Sequence, residues 1–203
     1  MFTIKADLDA AERMLSDIGR KQLPFATAMA INDTAESVKR VEELDIGRAF
    51  DRPTRYTQRA LYLRRASKTR LAAQVGVKRV QAGYLRLQVS GGVRRPMGAA
   101  LVVPVKARRN AYGNLPKGAL ARLKAKPDIF VTTKRGRATS HLPPGVYQRK
   151  GRKGSGLKML ISFEPSASYT ARWQFHDLAM RRARGVFRDH FVRRLRLAIE
   201  TAR

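Results

Sequence analysis

From Gln22 to Phe50 the chain reads QLPFATAMAINDTAESVKRVEELDIGRAF, and Phe25, Met29, Asn32, Ala35, Val38 and Val41 recur every three or four residues. That spacing is one face of an α-helix, which turns once every 3.6 residues. A repeat this long commits the stretch to a scaffold helix of about six turns, on which the other elements must pack. Pro24 suits the first turn, where a missing N–H has no partner to lose, and Ile46-Gly47 followed by Asp51-Arg52-Pro53 marks the exit. The expected buried face is Phe25, Met29, Ala35, Val38 and Val41. Glu36, Glu42, Glu43 and Asp45 are assigned to the polar side.

Those acids stand out because acids are scarce elsewhere. The 203 residues carry 43 Lys+Arg against 15 Asp+Glu, a net charge of +28. Ten of the fifteen acids lie at or before Asp51, and residues 52–127 contain none. Folding does not need such an excess, since like charges repel in a compact state, so an anionic or acidic partner is expected. With 43% hydrophobic residues the chain can bury a core, as one domain with excursions or two small ones. We take it as a single α+β domain over 1–203, with a mildly acidic helical part (1–51), a basic strand-rich part (52–170) and a C-terminal helix (171–203).

Cysteine is absent, which removes disulfides, thiol catalysis and Cys-based zinc sites. No run of 18 apolar residues occurs, and MFTIKADLDAAERML places acids where a signal peptide has a basic region and an apolar core. The expectation is a soluble protein made in a cytoplasm.

Along the chain, Phe2–Ile4 reads as a short strand and Ala6–Ile18 as a helix. Leu61–Leu63 and the alternation of Leu71, Ala73, Val75 and Val77 read as strands, and Tyr84–Val89 alternates again. Leu101–Val105 is an edge strand, because Pro104 cannot donate to a ladder. Asn114 and Pro116 read as the cap and early position of a short helix ending near Lys124. Asp128–Thr133 is a further strand, Gly145–Gln148 and Leu157–Phe163 are a pair, and Ala171–Ala202 is a long helix. This order predicts an α+β fold, a mostly antiparallel sheet covered by long N-terminal and C-terminal helices, with extended basic loops.

Candidates for catalysis are thin. His141, His176 and His190 make no metal-binding spacing, paired carboxylates are missing from the middle of the chain, and GRKGSG lacks the P-loop spacing. No enzyme activity, cofactor or metal is expected. The basic residues are the strongest signal: from Lys106 to Lys158, fifteen Lys+Arg face one acid, Asp128. Such density suits a phosphate-facing surface, the plainer alternatives being a solvated face or a patch for an acidic partner. The candidate contacts to nucleic acid or an acidic partner are Arg108, Arg109, Lys134, Arg135, Arg137, Arg149, Lys150, Arg152 and Lys153. The glycine-rich connection RKGRKGSG, Arg149–Gly156, is expected to be mobile. Tyr112 and Tyr147 neighbour the basic loops, too little for a single-strand stacking platform, and no base-reading motif is present.

AMAIND, AFDRPTRYTQRALYLRRASK, AYGNLPKG, HLPPGVYQRKGRKG and the closing helix after YTARWQFHDLAMR, in that order, resemble the minor tail proteins of tailed bacteriophages, in the group similar to minor tail protein Z or tail-completion proteins. The resemblance implies a virion structural protein at the head-proximal end of the tail, assembled in the host cytoplasm. It would form a homo-oligomeric ring, with a hexamer as the expected order, that meets other neck and tail proteins and encloses the passing genome. DNA contact would be independent of sequence. The alternative from composition alone is a free, sequence-independent nucleic-acid-binding protein.

Overall fold

Alanine governs how the long helices meet. In the computed structural model, which describes residues 22–133, 141–151 and 156–201, helix α1 (Leu23–Ala49) buries Ala26, Ala28, Ala30 and Ala35 together with Asn32, Thr34, Val38, Glu42 and Ile46. Small side chains let a second helix come close. That helix is α5 (Phe175–Glu200), and the two pack as neighbours. They run antiparallel, because Asp33 meets Arg194, Thr34 meets His190 and Glu42 meets Trp173.

Of the expected buried face of α1, Ala35 and Val38 are buried, while Met29 and Val41 are only half-buried. Phe25 is 41% exposed, with the Lys68 ammonium 5.3 Å from its ring centroid, whereas Glu42, assigned to the polar side, is fully buried. Stepping by three and four residues from Ala28 through Asn32, Ala35 and Val38 leads to Glu42 and Ile46, so position overrides polarity.

The described residues gather into two compact units. The first holds α1, α5 and Arg55–Gly83; the second holds Phe50–Thr54 and Tyr84–Arg172. In the first unit, the short helix α2 (Arg55–Gln58) leads into strand β1 (Leu61–Arg64), paired antiparallel with β2 (Gln74–Val77). The expected strand from Leu71 is therefore shorter. Helix α1 also packs on both strands. Asn32 pins their connection, donating from Nδ2 to Ala66 O (3.1 Å) and accepting from Ala66 N at Oδ1 (2.7 Å).

Helix α3 (Arg79–Ser90) occupies the stretch expected as a strand at Tyr84–Val89. The alternation is also compatible with a helix, and Gln81, Leu85 and Gln88, at i, i+4 and i+7, are the buried positions. Strand β3 (Gly92–Arg94) pairs antiparallel with β8 (Ala167–Tyr169). A four-stranded antiparallel sheet follows the order β4-β7-β6-β5, with β4 at Leu101–Pro104, β5 at Ile129–Thr132, β6 at Gly145–Lys150 and β7 at Gly156–Glu164. The proline-bearing β4 is at an edge, as expected. Val146, Leu160 and Ile161 form the core of this unit, with Leu115, Leu120 and Leu123 packed against them. The fold is thus α+β with antiparallel sheets and long helices at either end of the described chain. The expected elements Phe2–Ile4 and Ala6–Ile18 lie outside the described residues.

Helix α4 (Ala119–Lys124) begins later than Asn114 and Pro116 suggest. Asn110 Oδ1 accepts from the N–H groups of Tyr112 and Asn114, both at 3.0 Å, and the turn passes through Gly113 at φ +78. Gly118, at φ +72, then delays the helix, a backbone conformation that glycine tolerates.

Candidate basic cleft of the second unit

Beyond Pro104 the chain is turned by a single acceptor. The Leu160 carbonyl receives the N–H groups of Val105, Lys106 and Ala107 at 2.9, 3.2 and 3.0 Å. This bend aims Arg108 and Arg109 into a cleft of about 610 Å3 whose opposite wall carries Arg122 and Lys126. Leu115, Leu123 and Ala119 supply apolar surface between them. Two of the guanidinium groups are anchored on backbone: Arg109 Nη2 donates to Pro104 O at 2.6 Å, and Arg122 Nη2 to Lys117 O at 2.9 Å. Such bonds fix position without neutralising charge. None of the four cations has an ion-pair partner among the described residues. Asp128, the one acid between 52 and 163, is occupied by Gln148 Nε2 at 2.7 Å. The cleft therefore concentrates positive charge over a partly apolar floor, an arrangement that attracts anions.

Of the sequence candidates, Arg108 and Arg109 are brought together here. Arg149 and Lys150 stand at the end of β6 instead. The Arg149 guanidinium lies 5.1 Å from the Phe130 ring centroid, and Phe130 stacks on Tyr147 at 5.7 Å. Lys134, Arg135, Arg137, Arg152 and Lys153 lie outside the described residues, as do residues 152–155, half of the connection expected to be mobile. Arg122 and Lys126 escape sequence reasoning because they sit on and just after a helix, where basic residues read as a solvated face.

Among the described residues Glu42 is the one strongly perturbed carboxyl. Burial pushes its pKa up to about 7, aided by the charge of Asp45 and opposed by the Trp173 indole N–H, which donates to Oε2 at 3.1 Å. Its Oε1 has no hydrogen-bond partner among the described residues. Such a pKa suits acid–base chemistry, but a fully buried group meets no substrate. His190 is likewise structural: the Thr34 hydroxyl donates to Ala30 O (2.8 Å), leaving its oxygen to accept from His190 Nδ1 at 3.0 Å. Among the described residues no three His, Cys, Asp or Glu side chains gather as a metal would require, and no helix is long and apolar enough to cross a membrane. Comparison of the chain with protein-family models, with curated proteins and with solved structures finds no match.

Proposed function

We propose that this chain is a structural assembly subunit that contacts nucleic acid without reading its sequence, in the tail-completion role that the resemblance implies: a ring at the neck of a tailed bacteriophage through which DNA passes. The observation that carries the reading is the cleft of Arg108, Arg109, Arg122 and Lys126, four cations without a counter-charge among the described residues. Phosphodiester backbones suit such a surface, because each neutralised phosphate releases counterions. The exposed apolar side chains distributed along α5, Met180, Phe187, Val192, Leu197 and Ile199, support the assembly half of the reading.

Two measurements test it. Replacing Arg108, Arg109, Arg122 and Lys126 with Ser should leave circular dichroism unchanged, since all four are exposed. It should weaken duplex-DNA binding and flatten its dependence on log salt by about 0.9 for each phosphate that is no longer neutralised. Unchanged affinity and slope would refute the cleft as the DNA-binding surface. Mass measurement of nucleic-acid-free protein separates the two roles: discrete rings support an assembly subunit, while a protein that is monomeric alone and multimeric only on DNA is a free nucleic-acid binder.

A further inference from the structure

The first unit has its own basic cleft, built on different residues. The short helix α2 and the first turn of α3 face each other across an open space of about 600 Å3 lined by Arg55, Arg59, Lys78 and Arg79. All four are exposed, and Tyr56 beside them turns 54% of its surface to solvent. The two walls are tied through backbone carbonyls. Lys78 N donates to Ala60 O at 2.8 Å, Lys78 Nζ to Arg59 O at 2.7 Å and Gln81 Nε2 to Tyr56 O at 3.4 Å. These bonds hold the cleft in shape and leave every positive charge in place.

Nothing within the described residues explains the grouping. Four cations at close quarters repel one another. No acid occurs between 52 and 127, and none of the four has an ion-pair partner among the described residues. A single exposed tyrosine is unremarkable alone. One set inside a rigid cluster of cations combines the two elements by which single strands are held, an aromatic face for a base and positive charge for its phosphates.

We propose that this cleft binds single-stranded nucleic acid, with an unstacked base on the Tyr56 ring and the flanking phosphates on Arg55, Arg59, Lys78 and Arg79. A duplex cannot use the ring in this way, because its base faces are already covered by neighbouring bases. The inference shares with the proposed function only the premise that the anionic partner is nucleic acid. Its residues lie in the other unit, so each cleft can be disabled separately.

The test is fluorescence anisotropy of labelled oligo(dT) and of a duplex of the same length on the full chain, with heparin as a polyanion that offers no base. Tyr56→Ala should weaken oligo(dT) binding about tenfold and leave duplex and heparin binding unchanged. Tyr56→Phe should retain wild-type affinity, since the face and not the hydroxyl is used. Arg55→Ser with Arg79→Ser should weaken oligo(dT) binding and lower its salt slope by about 0.7 for each phosphate released from the cleft. The serine variant of the Arg108 cleft should keep the Tyr56 contribution to oligo(dT) binding whether or not its duplex binding falls. If Tyr56→Ala binds oligo(dT) as wild type does, or loses heparin and oligo(dT) equally, the stacking proposal is overturned.

Discussion

Glu42→Gln isolates one buried proton. In the folded chain burial holds the Glu42 pKa at about 7, against 4.5 for an ordinary glutamate. Between those two values the folded state keeps a proton that the unfolded state has released. The protonated form's contribution is complete below pH 4.5, declines as pH rises through the window and is gone above 7, at about 1.36 kcal/mol per pH unit. Integrated over the window, the loss is about 3 kcal/mol. Glutamine has the shape of the neutral acid and keeps an oxygen for the Trp173 N–H, but it cannot ionise. Wild type and variant should therefore be equally stable near pH 5 to within about 1 kcal/mol, and the variant should be more stable by about 2–3 kcal/mol at pH 8. Trp173 is the sole tryptophan and touches the site, so urea titrations followed by its fluorescence report on this contact directly. Asp33 titrates in both proteins and cancels in the difference. Parallel pH profiles for the two proteins, or a variant weaker than wild type at pH 8, would refute the reasoning.

Removing the Asn32 side chain as Asn32→Ala should cost about 2–3 kcal/mol, because it strands both the N–H and the C=O of buried Ala66; hydrogen exchange at Ala66 should accelerate, and full protection there would contradict the assignment. Asp33 receives two bonds from Arg194, at 2.7 and 2.8 Å, and one from Arg193 at 3.2 Å. The Arg194 bond holds its carboxyl below the ordinary range, so its stabilisation is present at neutral pH and lost on acidification. A double-mutant cycle of Asp33→Ala and Arg194→Ala should give a coupling of about 1 kcal/mol at pH 7 that shrinks towards pH 3, and additivity at pH 7 would remove the pair as a contributor.

What could be read in advance follows from how local each cause is. Pro104 places β4 at an edge by its own missing donor, and the hydrophobic run Leu157–Phe163 needs only its neighbour β6 to become a strand. Helix α1 was legible in type and extent because 3.6-residue spacing persists over its length. Its buried face was less so, since alanines carry almost no signal of direction, and a carboxylate at position 42 is buried only because Trp173, 131 residues away, closes over it. The alternation at Tyr84–Val89 fits both strand and helix templates, and tertiary packing of Gln81, Leu85 and Gln88 decides between them. Arg108 and Arg109 could be named from charge density. Arg122 and Lys126 join them only through the turn that Asn110, Gly113 and Gly118 impose, and Tyr56 gains its surroundings from residues more than twenty positions later.

An alanine-lined seam is smooth only where alanine follows alanine. Sliding α5 along α1 by one turn, 5.4 Å, exchanges Ala179 for Ala183 but Ala183 for Phe187, so at the first of these positions size alone does not distinguish neighbouring settings. The polar contacts do. A slip of one turn would bring Asp33 level with His190 or Ala198 instead of Arg194, and would carry the only indole in the chain off Glu42. Burying polar groups is a weak source of stability but a strong source of register. In this pair of helices the alanines set the distance, and Asp33, Thr34 and Glu42 mark the one notch at which the pair comes to rest.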